Sequence, residues 1–100
     1  MIIIAGSLSF DPSDRHDVLA GLQEITELSR ADSGCIAYSW AEDLESPNTF
    51  LFFECWESQE LFDAHLAAPH EKAFGERYLS RITGATAQIY SATDIGDAGN

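Results

Sequence analysis

The run TFLFFECWESQELFDAHLAAPHEKAF, Thr49 to Phe74, decides how the chain folds. Its first eight residues are the most apolar in the sequence. Read at a period of two they give the faces Phe50, Phe52, Glu54, Trp56 and Leu51, Phe53, Cys55, a strand apolar on both sides. At Glu57-Ser58 the pattern turns polar and the period changes. Ser58 is placed to cap a helix that carries Leu61, Phe62, His65 and Leu66 inward. Pro69 cannot continue that helix without losing a hydrogen bond, so a second helical segment starts there and carries Ala73, Phe74 and Arg77-Tyr78.

Upstream, the β-branched Ile2-Ile3-Ile4 opens a first strand reaching Phe10. Gly6 within it marks a bulge or a close approach by another segment. Asp11-Pro12 supplies an N-cap and a first-turn proline. The helix that follows runs to about Ala31, with Val18, Leu22 and Ile25 as its inner stripe and Leu19 and Leu28 beside them. Gly34 stops it. Cys35 to Ala41 reads as a second strand, with Ile36, Tyr38 and Trp40 on one face. The polar EDLESPN, residues 42–48, is a hairpin-type connection. Downstream, Thr83-Gly84 marks a turn before a last strand, Ala85 to Ala92. The order β-α-β-β-α-β is the split βαβ, ferredoxin-like arrangement, an α+β fold. One domain over residues 1–92 and a loose polar tail over 93–100 are expected.

A chain of 100 residues buries roughly two-thirds of its unfolded surface, enough for a core without staples. The formal charge of −12, with only five Lys and Arg, excludes a nucleic-acid binder and an anionic membrane surface as partners. No stretch is long and apolar enough to cross a bilayer. MIIIAG reads as a strand instead of a leader, so a cytoplasmic protein is expected. Cys35 and Cys55 form no CxxC and read as small buried hydrophobes. A strand apolar on both faces in so small a chain needs a second cover, and a partner subunit is the simplest supplier.

Glu54 is the most informative residue. A carboxylate between Phe52 and Trp56 must be paired, hydrogen-bonded or protonated. It is either a buried partner for Arg, His or Tyr, or a base in a pocket. His65 is either a hydrogen-bonded core histidine or a group that exchanges a proton with a phenolic ligand. His70 lines the mouth of the same cavity or faces water; His16 reads as a surface residue. Because Pro69 separates them, His65 and His70 do not share a helical face as two ligands at i, i+4 would, and no metal site is expected. Tyr38, Trp40, Trp56, Phe52 and Phe74 form core or interface, or the walls of a site for a flat aromatic ligand.

Gly34-Cys35-Ile36-Ala37-Tyr38, Asn48-Thr49-Phe50, Glu54-Cys55-Trp56-Glu57-Ser58, Leu61-Phe62, His65-Leu66, Pro69-His70 and Phe74 together resemble the antibiotic biosynthesis monooxygenase family, its quinol monooxygenase members most of all. The E-x-W-x-S and H-x-x-x-P-H elements are the specific ones, and the likeness covers residues 1 to 92. The resemblance implies a homodimeric α+β barrel with sheets face to face, and a pocket between sheet and helices in each unit. It implies oxidation of a quinol or polycyclic phenol by molecular oxygen with no cofactor, neither metal nor flavin. On that basis His65 is the expected proton acceptor, Glu54 and Tyr38 its polar neighbours, and Trp56, Phe52, Phe74 and His70 the substrate-binding set. Haem-degrading relatives use an Asn on the first strand and a Trp and a His on the second helical segment. Here Gly6, Ser7 and Ser9, then His65, then Gly75 or its neighbour stand there, and haem degradation is not expected. Two other classes fit the same residues: a non-catalytic ligand-binding or stress-response dimer, and an isomerase or decarboxylase.

Overall fold

A computed structural model describes residues 1–99. The elements are β1 (Ile2–Phe10), α1 (Arg15–Arg30), β2 (Cys35–Glu42), β3 (Thr49–Trp56), α2 (Gln59–Leu66), α3 (Pro69–Tyr78) and β4 (Ile82–Ser91). Single 3-10 turns, Pro12–Asp14 and Leu79–Arg81, lead into α1 and β4. The sheet is antiparallel with order β2-β3-β1-β4, the ferredoxin-like topology.

Local chemistry sets the joints. The Asp11 carboxylate accepts from the Ser13 amide at 2.9 Å, and Ser58 Oγ accepts from the Leu61 amide at 3.2 Å. Each satisfies an orphan donor at a helix start. Pro69 stands at the first turn of α3, where its missing N–H costs nothing. Gly34 turns the chain into β2 with φ +82°, and a Cβ there would strike Leu61. Gly6 accommodates a close approach: a Cβ on it would lie 2.0 Å from the Thr86 carbonyl oxygen and 2.8 Å from Ala87 Cα.

All three helices cover one face of the sheet. The core between the layers has two centres. Ile4, Ile25, Tyr38, Trp56 and Phe62 form one; Phe10, Val18, Leu22, Phe50 and Tyr78 form the other. Trp40 and Phe74 pack against both and join them. The opposite face of the sheet has no cover: Leu51, Phe53 and Tyr90 stand 45%, 42% and 52% exposed. Cys55, on that face, is buried beneath Met1, whose sulfur lies 3.3 Å from Cys55 Sγ.

Three local expectations are corrected. The β2–β3 register shifts between Cys35 and Ala37, so Cys35 packs on the core and Ile36 projects into solvent. Thr83-Gly84 is no turn but part of β4, where the β1–β4 register shifts opposite Ser9-Phe10. Leu66 lies outside, since the inner line of α2 is Phe62 and His65 and the next residue is turned by roughly 100°. Leu19 and Leu28 flank the stripe of α1 and remain partly exposed. After Ser91 the backbone forms no helix or strand through Gly99; the last residue of the expected tail lies outside the described residues. Among the described residues no helix is long and apolar enough to cross a membrane.

The Gly6 contact gives a direct test. Backbone of β4 cannot retreat from a new methyl without breaking the ladder. Gly6→Ala is expected to lower the unfolding free energy by about 1–3 kcal/mol, the range for overpacking. An unchanged urea midpoint would show that β4 does not cross β1 so closely.

Candidate functional site

Strand register assembles the first half of the site. Glu54 and Trp56 alternate on the helix-facing side of β3, and Tyr38 pairs opposite Glu54 on β2. Trp56 Nε1–H donates to Glu54 Oε1 at 3.1 Å, and Trp40 Nε1–H donates to the Tyr38 hydroxyl at 3.1 Å. Arg30 at the end of α1 fixes β2 by donating from Nε to the Tyr38 carbonyl at 2.9 Å.

The helices supply the second half. His65 descends from α2 onto Trp56, ring centres 4.5 Å apart, with Tyr38 at 5.9 Å. Its Nδ1 lies 2.9 Å from Asp32 Oδ2. Its Nε2 lies 3.3 Å from Glu71 Oε2 and 3.7 Å from Glu54 Oε1. The same Asp32 oxygen lies 2.7 Å from His70 Nε2. The break at Pro69 thus does not separate the two histidines. It turns α3 so that both rings reach one carboxylate from different helices.

Carboxylates accept and do not donate when ionised. With carboxylates at both ring nitrogens, His65 satisfies its surroundings best as an imidazolium. Burial opposes that charge. The hydrogen bonds to Glu71 and Asp32 and the fields of Glu71 and Glu54 outweigh it and hold the His65 pKa above the usual value. Burial also pushes the Glu54 pKa up, against the pull of the Trp56 hydrogen bond and the charge of His65. The Tyr38 phenol is driven up strongly by burial and stays protonated. The Cys35 thiol is likewise raised, by burial and by Glu54 and Asp32, which makes it a poor nucleophile.

Two hollows adjoin this group. A cleft of about 750 Å³ lies between α1 and β2, walled by Leu22, Thr26, Arg30, Trp40 and Phe50. A smaller one, about 150 Å³, lies between α1 and α3 and includes Ile25, His70, Phe74 and Tyr78. His65, Glu54, Trp56 and Tyr38 line neither. His65 is 1% exposed at its side chain and Trp56 is fully buried. Phe52 stands behind the large cleft, its ring tilted against Trp40 with centres 5.0 Å apart. The structure therefore brings His65, Glu54, Tyr38 and Trp56 together, sets His70 and Phe74 at the small hollow, and keeps Phe52 in the second layer.

Asp32, Glu71 and Arg30 gave no signal in the sequence, where each reads as an ordinary surface charge on a turn or helix. The buried Ser29 hydroxyl has no hydrogen-bond partner among the described residues.

The raised His65 pKa has a sign that can be checked. The native state binds this proton more tightly than the unfolded chain, whose imidazole titrates near 6.5. Its contribution to stability is complete below that value and is lost as pH rises through the folded pKa. Glu54, also raised, acts in the same direction from 4.5 upward. Unfolding free energy from urea titration is expected to fall as pH rises above 6.5, with a shallower slope in His65→Gln. A flat profile in the unsubstituted protein would exclude a charged His65.

Comparison with known proteins places this geometry in context. A sequence model described as antibiotic biosynthesis monooxygenase matches residues 1–77. An uncharacterised protein of Synechocystis is 37% identical over 76 residues, 76% of this chain; the chain spans about half, 52%, of that relative's length. The Bacillus subtilis protein YcnE, provisionally named a monooxygenase, is 28% identical over 83 residues, with 80% of this chain and 87% of that one covered. A crystal structure from Deinococcus radiodurans, provisionally named an antibiotic biosynthesis monooxygenase, superposes with TM-score 0.91 at 26% identity over 100% of both chains. A Mycobacterium tuberculosis structure, at 20% identity, shares the fold with TM-score 0.86 over 96% of this chain and 98% of its own. The chain belongs to the antibiotic biosynthesis monooxygenase family.

Proposed function

We propose that the protein is a small monooxygenase, needing no cofactor, that oxidises a quinol or polycyclic phenol with molecular oxygen. The observation that carries this reading is one imidazole set among three carboxylates and two aromatic rings, behind a cleft of ligand size. Volumes of roughly 300–1,000 Å³ suit small-molecule sites. In this reading the substrate ring lies in the α1–β2 cleft against Trp40, with Phe52 and Phe74 as the wall behind it. Tyr38 stands between Trp40 and His65, and Trp56 backs the imidazole. His70 serves as the outer polar group.

The chemistry asks little of the protein beyond proton exchange, desolvation and orientation. His65, in the fraction of molecules where it is uncharged, accepts the substrate's proton by way of the Tyr38 hydroxyl, since His65 itself does not line the cleft. The resulting phenolate or carbanion gives electrons to oxygen and forms a carbon–oxygen bond as a hydroperoxide. The O–O bond then breaks. One oxygen remains as a carbonyl, the other leaves as water with the proton that His65 returns, and the carbon loses its hydrogen. The substrate supplies all four electrons. Glu54 and Glu71 hold the imidazolium between these steps.

One observation favours a second reading. Neither of the two hollows described above opens on His65, as expected if Glu54 and His65 are structural in a ligand-binding or stress-response dimer. Oxygen uptake with a panel of naphthalene and anthracene quinols separates the two. On the first reading uptake depends on the protein and falls by at least about a hundredfold in His65→Gln, in a variant that circular dichroism shows to be folded. Absence of uptake across the panel, or full uptake in the variant, would overturn the assignment.

We further propose that two copies pair through the uncovered sheet face, in the cytoplasm, where Cys35 and Cys55 remain free thiols. Leu51, Phe53 and Tyr90 give that face apolar area, and β4 beyond Ile82 is exposed on both sides. Phe53→Lys would put a charge at its centre. Sedimentation should give a dimer for the unsubstituted chain and a folded monomer for the variant; a dimer unaffected by the substitution would place the interface elsewhere.

A further inference from the structure

We infer that Asp32, His65 and His70 form a binding site for a divalent transition-metal ion of the zinc class. Asp32 Oδ2, His65 Nδ1 and His70 Nε2 all lie within 4.8 Å of one another. The two carboxylate-to-ring separations are 2.9 and 2.7 Å. Ligands at about 2.0–2.2 Å from zinc, at a right or tetrahedral angle, stand about 3.0–3.4 Å apart. The two Asp32-to-ring separations need open by only a few tenths of an ångström around an ion, with the two rings adjusting to each other within their 4.8 Å limit.

Three further features favour a site over a hydrogen-bonded cluster. The far nitrogen of His65 faces Glu71 and Glu54, the carboxylate–histidine–metal arrangement that orients a ligating ring and raises its basicity. Asp32 is fixed before any ion arrives: its amide donates to the Ser29 carbonyl at 3.1 Å, and its own carbonyl accepts from the Cys35 amide at 3.2 Å. Charge is the third. Among the described residues, Asp32, Glu54 and Glu71 have only imidazoles as ionic partners, and no Lys or Arg reaches them. A metal ion entering this group therefore meets no fixed positive charge.

The donor set chooses the ion. Two imidazole nitrogens and one carboxylate oxygen suit zinc, cobalt or nickel, whereas calcium and magnesium take oxygen ligands. Entry is from the side of His70 and Asp32, whose side chains are 18% and 22% exposed, with His65 as the inner ligand. The ion would tie the α1–β2 turn to both α2 and α3 across the Pro69 break. It would also take His65 Nδ1 and leave the ring proton on Nε2, so a loaded protein would have no free acceptor at His65. The metal site is thus an off-switch for the reaction proposed above.

Binding is read without turnover, so it stands apart from the oxygenase reading. Metal-free protein is titrated with Co(II), following visible ligand-field bands, and with Zn(II), following melting temperature. One equivalent of Co(II) is expected to give the intense bands of a low-coordinate site. Zn(II) is expected to raise the melting temperature as its concentration rises. Affinity should fall at least about tenfold in His70→Asn and Asp32→Asn and stay unchanged in His16→Asn. If either variant fails to fold, ring resonances settle the question in the unsubstituted protein: Zn(II) must shift those of His65 and His70 and spare those of His16. No bands and no thermal shift, or binding that follows His16, would overturn the site.

Discussion

A carboxylate in the apolar face of a central strand constrains everything around it. Glu54 sits between Phe52 and Trp56 on β3, only 9% exposed. An unpartnered charge there would cost several kcal/mol, on the order of 3–5 when a buried pair is broken. The indole of Trp56 offers one hydrogen bond from the same strand. A counter-charge must come from the helical layer, and His65 is the residue of α2 that reaches it. Burying a charged imidazole raises the same difficulty again. Asp32 and Glu71 answer it from the α1–β2 turn and from α3. One awkward residue on β3 thus sets the depth of α2, the position of the turn after α1 and the entry angle of α3.

This order of dependence explains what could be read from the sequence. β3 was legible to the residue, because its alternation is unbroken and Ser58 supplies a capping hydroxyl. The exposed position of His16 followed from its place beyond the buried stripe of α1. The tension at Glu54 was visible too, as a carboxylate amid aromatics. The answer to that tension was not. Asp32 follows a helix end in a polar turn, and Glu71 lies on a helix with only one fully buried residue, so neither stands out in the chain. The bulge at Cys35–Ala37 was hidden for a different reason. Alternation assigns faces only while the ladder keeps step, and one extra residue exchanges Cys35 and Ile36. The strand character of Thr83-Gly84 was masked in the same way, since a glycine opposite Ser9 marks a register shift within β4 and not its start.

The two faces of the sheet differ in kind. The helix face is closed by aromatic packing in which Trp40 and Phe74 join two centres. The other face carries Leu51, Phe53 and Tyr90 without cover. Small exposed hydrophobics on their own mean little. Here they share one face: Leu51 and Phe53 alternate on β3, and Tyr90 pairs with Ile3, which pairs with Cys55 in the row next to Phe53. β4 adds ten residues of strand whose side chains, after Ile82, meet solvent on both sides. Gly6 brings this strand closest to β1, so its place is fixed by backbone contact more than by side-chain packing. A second copy laid on this face would give β4 the burial that its own chain does not.

Charge distribution follows the same logic to its end. The five basic residues lie at the periphery of the site or away from it. Arg15 pairs with Glu42, Arg77 and Arg81 with Asp17 and Asp14, and Arg30 is bound to a backbone carbonyl. Lys72 makes no ion pair among the described residues. The inner trio of Asp32, Glu54 and Glu71 is therefore balanced only by histidines, the side chains whose charge changes near neutral pH. The fold cannot be indifferent to protons at this point: losing the His65 proton leaves three clustered carboxylates facing an uncharged ring. A substrate that gives up a proton, a change of pH and a metal ion would all act on the same imidazole. The group that makes the core difficult to close is also the group through which the interior can be chemically addressed.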